Sequence, residues 1–339
     1  MSYKSMDFII EQHIRDFGEK REKDTSNTRG QYAEATIKNY ISGIRTLHKM
    51  VQGTGALFDD LDWARDHTKV FQVIKTKDNI QTKRNLVNSL IASLQTIGYP
   101  SEVIRPYEDL RDTYQAQYQA AGHLTPKQKI IMTAIKQKDI LDFLAEESLD
   151  PELTQDMTRF SSFVIMSIHT IYPFRNECGD MKMIRRVIYE KLGDEQKKAN
   201  NWLVLDKGFD KMSFVMTNFK TMKVFGIREM EVEPKITKFI HKICQLRDIK
   251  LKDVHNVPVF ITSRGDAFNK NKVSKHLGDY TTKGLGHPIS TTIMAKMFGT
   301  SCVDPVNPTP EELVKLRAEA DMRGQSMKMK FSVYGNLID

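Results

Sequence analysis

Residues 200–233 read NNWLVLDKGFDKMSFVMTNFKTMKVFGIREMEVE, and they break the period of everything around them. Three short runs stand out there: Trp202-Leu203-Val204-Leu205, Ser213-Phe214-Val215-Met216 and Arg228-Glu229-Met230-Glu231-Val232, separated by Gly208 and Gly226. Runs of that length between turn residues predict strands. Outward from them the apolar spacing is helical. Helices are expected at 236–247, 271–277, 290–298 and 310–321 on one side. On the other they are expected at 136–147 and in the apolar stretch 160–172, which ends before Pro173. Further upstream Ile37, Tyr40, Ile41, Ile44, Leu47, Met50 and Val51 recur on one face, with Thr36 as a cap. Residues 82–97 turn Leu86, Leu90, Ile91 and Leu94 inward, and 105–120 form a polar helix. Gly122 and Pro126 interrupt the pattern, which sets a domain boundary near 120–126. Residues 1–30, a short amphipathic stretch followed by a polar run, read as an arm. The expectation is mainly α: an arm at 1–30, a helical domain at 31–122, and a mostly helical domain at 123–339 with one small antiparallel sheet (α+β).

Composition narrows the class. A chain of 339 residues suits two cores better than one. No stretch approaches the roughly 18 apolar residues of a membrane span, so no membrane contact is expected. Phe8-Ile9-Ile10 is followed at once by charged residues, which is not a secretory signal, and an intracellular protein is expected. Cys178, Cys244 and Cys302 lie too far apart for a disulfide framework or a zinc cluster, and no metal or cofactor is expected. No P-loop, dinucleotide fingerprint or Ser-His-Asp set is present. Ser263-Arg264-Gly265-Asp266 reads as a turn. The net charge of +8 suits a polyanionic partner but does not name one.

Three segments of the second half have a meaning together that none has alone. The first is Tyr172-Pro173-Phe174-Arg175-Asn176-Glu177. The second is Thr217-Asn218-Phe219-Lys220-Thr221-Met222-Lys223, between two strand runs. The third is Met322-Arg323-Gly324-Gln325-Ser326, with Tyr334 nine residues after Gln325. This order of arginine, hairpin lysine and near-terminal tyrosine resembles the tyrosine recombinases. Phe174-Arg175-Asn176-Glu177 is similar to their first arginine box, Asn218-Phe219-Lys220-Thr221 to their β-hairpin lysine segment, and Gly324-Gln325-Ser326…Tyr334 to their Gly-His-Ser…Tyr box. The flavour is that of virophages, large DNA viruses and related mobile elements. The resemblance covers about residues 126–339; the N-terminal helices resemble the family's core-binding domain in pattern only.

The resemblance implies that Tyr334 is a nucleophile forming a 3′-phosphotyrosine, Arg175 a phosphate clamp oriented by Glu177, and Lys220 the general acid for the leaving oxygen. Gln325 stands where the family has His or Trp. Arginine suits the clamp because its fork reaches two phosphate oxygens. The family's second arginine has no counterpart: Ala295 stands in its place, and the alternative register through His287 puts Ser290 there. Either the protein lacks this arginine by nature or a substitution has removed it. The expected partner is double-stranded DNA with inverted repeats, bound by a homodimer that assembles to a homotetramer. DNA-contacting residues are expected at Lys38, Arg45, Lys83, Arg84, Lys272, Lys275 and Lys296, the last pointing toward phosphate or solvent. A type IB topoisomerase and a DNA-binding relative without catalysis stay open. If the source is viral, the site of action is the host nucleus or a cytoplasmic virus factory.

Overall fold

The structure, a computed structural model, describes residues 6–23, 34–120, 124–172, 174, 176–219, 222, 226–299, 309, 311, 314 and 317. It divides into two compact units, Met1–Thr125 and Pro126–Asp339.

The first unit holds α1 (Met6–Lys23), α2 (Glu34–Gln52), α3 (His67–Lys75), α4 (Ile80–Ile97) and α5 (Ser101–Ala120). Ile37, Ile41, Ile44, Leu47 and Val51 line the buried face of α2, and Leu86, Leu90, Ile91 and Leu94 that of α4, as their spacing predicts. Thr36 falls inside α2 rather than capping it. Residues 6–23, expected to belong to an arm, instead form α1: Met6, Ile10 and Ile14, one turn apart, are buried in the same core as α2 and α4. The nine-residue α3 was not expected; Asp66 caps it by accepting from Lys69 N at 3.0 Å. Where α2 crosses α4, a Cβ on Gly43 would lie 2.2 Å from Ser89 Oγ, so the close approach needs glycine.

The second unit runs α6 (Pro126–Ala134), α7 (Gln137–Glu147), α8 (Met157–Ile171), β1 (Lys182–Arg185), α9 (Arg186–Tyr189), α10 (Asp194–Lys198), β2 (Trp202–Lys207), β3 (Lys211–Met216), β4 (Arg228–Glu231), α11 (Pro234–Leu246), β5 (His255–Pro258), α12 (Val273–Leu285) and α13 (Thr291–Gly299). Of the helix expected at 310–321, residues 311, 314 and 317 are described, and all three are helical. The strands form one sheet in the order β4-β3-β2-β1-β5. The sheet expected to be antiparallel is mixed, because β1 pairs with β2 in parallel. Residues 186–201, carrying α9 and α10, supply the long crossover that a parallel pair requires. The mainly α, α+β architecture stands. Helix α8 is apolar on nearly every side and is buried accordingly: Phe163, Val164, Ile165, Met166 and Ile168 lie at the centre of the core, with α11, α12 and α13 packed around them. No helix among the described residues is long and apolar enough to cross a membrane.

Candidate functional site

Arg175, Lys220, Gln325 and Tyr334 lie outside the described residues. Their neighbours in the first two segments are described, and two asparagines bring those neighbours together.

The first is Asn176. It opens a single 3-10 turn, Asn176–Cys178, just after α8. Its Oδ1 accepts from Ser274 Oγ at 3.1 Å and from Thr291 Oγ1, and those two hydroxyls lie 2.9 Å apart. Ser274 belongs to the first turn of α12 and Thr291 is the first residue of α13. Gly179 permits this approach: a Cβ there would stand 3.2 Å from the Lys270 backbone and 3.1 Å from Val273 Cβ. One side chain thus joins the arginine segment to the starts of two helices, and one of those helices carries Ala295.

The second is Asn201, 3% exposed, at the entry to β2. Its Oδ1 accepts from Thr217 N at 3.0 Å and Asn218 N at 2.8 Å, and its Nδ2 donates to Asn218 O at 2.8 Å. The same Nδ2 reaches Glu177 O at 3.5 Å. Two further bonds tie the same stretches: Thr217 Oγ1 donates to Lys197 O at 2.7 Å, and Asn218 Nδ2 to Ala199 O at 3.3 Å. The base of the loop after β3 is therefore fastened to the turn before β2 and to the segment of Glu177. Phe219 packs against the core, and the Arg228 guanidinium lies 5.3 Å from its ring centre.

Helix α13 carries the remaining position. Ala295 is buried, between Met294 and Lys296, which are buried as well. Lys296 does not point to phosphate or solvent as expected: it is 8% exposed, and its Nζ donates to Gln128 Oε1 on α6 at 3.1 Å. Helix α13 packs on α6 as well as on α8, so more than one of its faces is covered. Burial holds the Lys296 ammonium below the usual lysine value. Ser290, the alternative arginine position, caps α13: its Oγ accepts from Ile293 N at 3.3 Å and its carbonyl from Met294 N at 2.9 Å.

The basic residues expected to meet DNA divide into two kinds. Lys38 and Arg45 on α2, and Lys272 and Lys275 at the start of α12, are exposed. Lys83 and Arg84 are half-buried over aromatic rings of α5: Lys83 Nζ lies 5.8 Å from the Tyr114 ring centre, and the Arg84 guanidinium 4.9 Å from that of Tyr118. Arg84 also donates to Gln81 Oε1 at 2.8 Å.

In the second unit a cavity of about 510 Å³ is lined by Glu147, Asp156, Arg159, His276, Tyr280 and Lys283. Its strongest charges are spent on each other: Arg159 pairs with Glu147 and Asp150, both at 2.6 Å, and Tyr280 donates to Glu147 at 2.8 Å. Asn201, Ser274 and Thr291 are the residues that sequence reasoning missed, and it gives Asn176 no role. Their only signal was a polar residue at the edge of an apolar run, which turns share.

No family model matches the chain, and no curated protein matches it. Among solved structures it is similar to a crystal structure of XerA recombinase, at 12% identity and a TM-score of 0.38 over 97% of this chain and 94% of that one.

Proposed function

We propose that the chain cuts and rejoins duplex DNA through a 3′-phosphotyrosine, in the manner of a tyrosine recombinase. One observation carries the proposal. The described neighbours of Arg175 and Lys220 and the helix of Ala295, far apart in sequence, are fastened to one another through Asn176 and Asn201. In the proposed step Tyr334 Oη attacks phosphorus. The P–Oη bond forms and the P–O5′ bond breaks; the 5′-oxygen takes a proton from Lys220, while the phenolic proton passes to solvent. Arg175 neutralises the non-bridging oxygens, Glu177 orients it, and Gln325 donates to the phosphate. Rejoining is the reverse. The proposed partner is duplex DNA with inverted repeats, bound by dimers that pair as a tetramer inside a cell that hosts a viral or mobile genome.

A nicked suicide duplex tests the step. Ala295 in place of a second clamp should cost about 3 kcal/mol of transition-state stabilisation, so the chain itself should bind DNA with little adduct. Ala295→Arg should yield a covalent adduct that Tyr334→Phe abolishes and Lys220→Ala slows. An adduct that survives Tyr334→Phe would overturn the nucleophile. A second reading, a DNA-binding relative without catalysis, is favoured by the burial of Lys296, which is next to Ala295 in sequence but whose ammonium is engaged by Gln128 instead of taking the missing arginine's place. It predicts binding with no adduct even for Ala295→Arg. Relaxation of supercoiled plasmid by dilute protein would instead indicate a topoisomerase.

A further inference from the structure

Asn201 does more than fill a turn. Its amide is buried and pairs at both ends with the backbone of Asn218, as one residue of a ladder pairs with its partner. It adds a bond to Thr217 N and a longer one to Glu177 O. Its own carbonyl accepts from Lys182 N at 3.1 Å, at the start of β1. One residue therefore bridges three pieces of chain: the turn that follows α8, the start of β1, and the base of the loop that leaves β3. A buried amide with these partners is costly to disturb, because truncation strands the buried Thr217 N–H away from water and takes its acceptor from the Asn218 N–H.

We propose that Asn201 is a positioning residue. Its amide latches the base of the Thr217-Asn218-Phe219 loop to the Glu177 segment, so that the proposed general acid at Lys220 is held in register with the proposed clamp at Arg175. This rests on the recombinase reading for what the latch serves, but not for the latch itself. Asn201 touches no reacting atom in this account. It acts through the loop, so its loss should impair proton delivery to the leaving oxygen more than DNA binding.

That asymmetry has a chemical signature. A 5′-bridging sulfur leaves as a thiolate, whose conjugate acid has a pKa near about 8.5, and so needs no proton from the protein. The experiment uses the full chain with Ala295→Arg and two suicide duplexes, one with the ordinary 5′-oxygen and one with a 5′-bridging sulfur. Adding Asn201→Ala should slow adduct formation at saturating protein by at least about tenfold on the oxygen duplex, part of the 10²–10⁴ that a general acid supplies. Rates on the sulfur duplex and the dissociation constant should stay near those of the parent. Asn201→Asp, which keeps the shape but turns a carboxylate oxygen toward the Asn218 and Glu177 carbonyls at a buried position, should give a loss of the same kind and no smaller. Equal loss on both duplexes, or no loss on either, would overturn the positioning role.

Hydrogen exchange on the unsubstituted chain covers the case in which Asn201→Ala does not fold. The amides of Thr217 and Asn218 should exchange slowly, and free exchange there would overturn the latch. If Ala295→Arg melts as cooperatively as the parent and binds DNA yet gives no adduct on either duplex, the recombinase reading fails, while slow exchange at these two amides would leave the latch standing.

Discussion

At the scale of single residues, Asp156 shows how much one side chain holds. Its Oδ1 accepts from Thr158 N at 2.8 Å and Arg159 N at 3.2 Å, capping the buried helix α8. Ser263 Oγ donates to the same oxygen and ties the turn at 263–266 to that cap. The Ser263 hydroxyl and then the two backbone N–H groups hold the carboxyl below the usual aspartate value, against the pull of burial. Asp156→Ala should therefore cost about 1 kcal/mol, the ordinary loss of such a cap, read as a lower urea midpoint. The pH dependence has a definite sign. The unfolded chain binds the proton first as pH falls below about 3.9, so the contribution of Asp156 is present above that value and lost as pH falls through the folded pKa. Asp156→Asn keeps a good cap but removes this titration, and its stability should fall less steeply in acid. An identical acid limb in Asp156→Asn would contradict the assignment. Residue types and their order in the chain were legible for the candidate site at this scale. The partners of Asn176 and Asn201 were not, since a hydrogen bond between residues 17 or 115 apart leaves no trace in spacing.

At the scale of elements, length and amphipathic contrast decided what could be read. Helices α2 and α4 have apolar faces repeated over four or five turns, and most of the positions the spacing names are buried. Tyr40 and Met50 are only half-buried, while His48 on α2 and Val87, Ser89, Ala92 and Ser93 on α4 are buried without having been named. Strands β2, β3 and β4 announced themselves by a change of period. Strand β4 is as short as β1 and β5, at four residues each, but it follows two other strand runs, whereas β1 and β5 stand alone among helical stretches and nothing announces them. The nine residues of α3 are too few to establish a period. Missing β1 also concealed the parallel pair, so the sheet read as antiparallel. Helix α1 was hidden because the polar run after Phe17 outweighs its short apolar face. The crossing of α2 and α4 gives a direct test of packing. A methyl group at Gly43 would meet Ser89 Oγ at 2.2 Å and Ser89 Cβ at 2.8 Å. Gly43→Ala should lower stability by about 1–3 kcal/mol, the usual cost of overpacking, despite the higher helix propensity of alanine. Ser89→Gly removes both clashing atoms and should recover part of that loss in the double variant. Strictly additive effects in denaturant titrations would mean that the two helices do not touch there.

At the scale of the whole molecule, the net charge of +8 becomes a claim about DNA only when particular cations are asked to release counterions. Affinity for duplex DNA should fall steeply between about 50 and 200 mM salt, and removing one cation that neutralises a phosphate should reduce the log–log slope by about 0.9. Lys38 and Arg45 in the first unit and Lys272 and Lys275 in the second are exposed and accessible to phosphate. Replacing any one of them with Ala should flatten the slope by about that amount while leaving the melting temperature nearly unchanged. Lys83 and Arg84 should behave differently. Their charges already lie over the rings of Tyr114 and Tyr118, and their stems cover the α4–α5 seam. Lys83→Ala with Arg84→Ala should therefore lower stability more than it flattens the salt slope. The two groups sort by which observable moves, so one set of titrations at several salt concentrations, paired with thermal melts, decides both. A slope unchanged by all four exposed substitutions would remove these faces from the DNA path, and a flat affinity across the salt range would remove the proposed DNA partner itself.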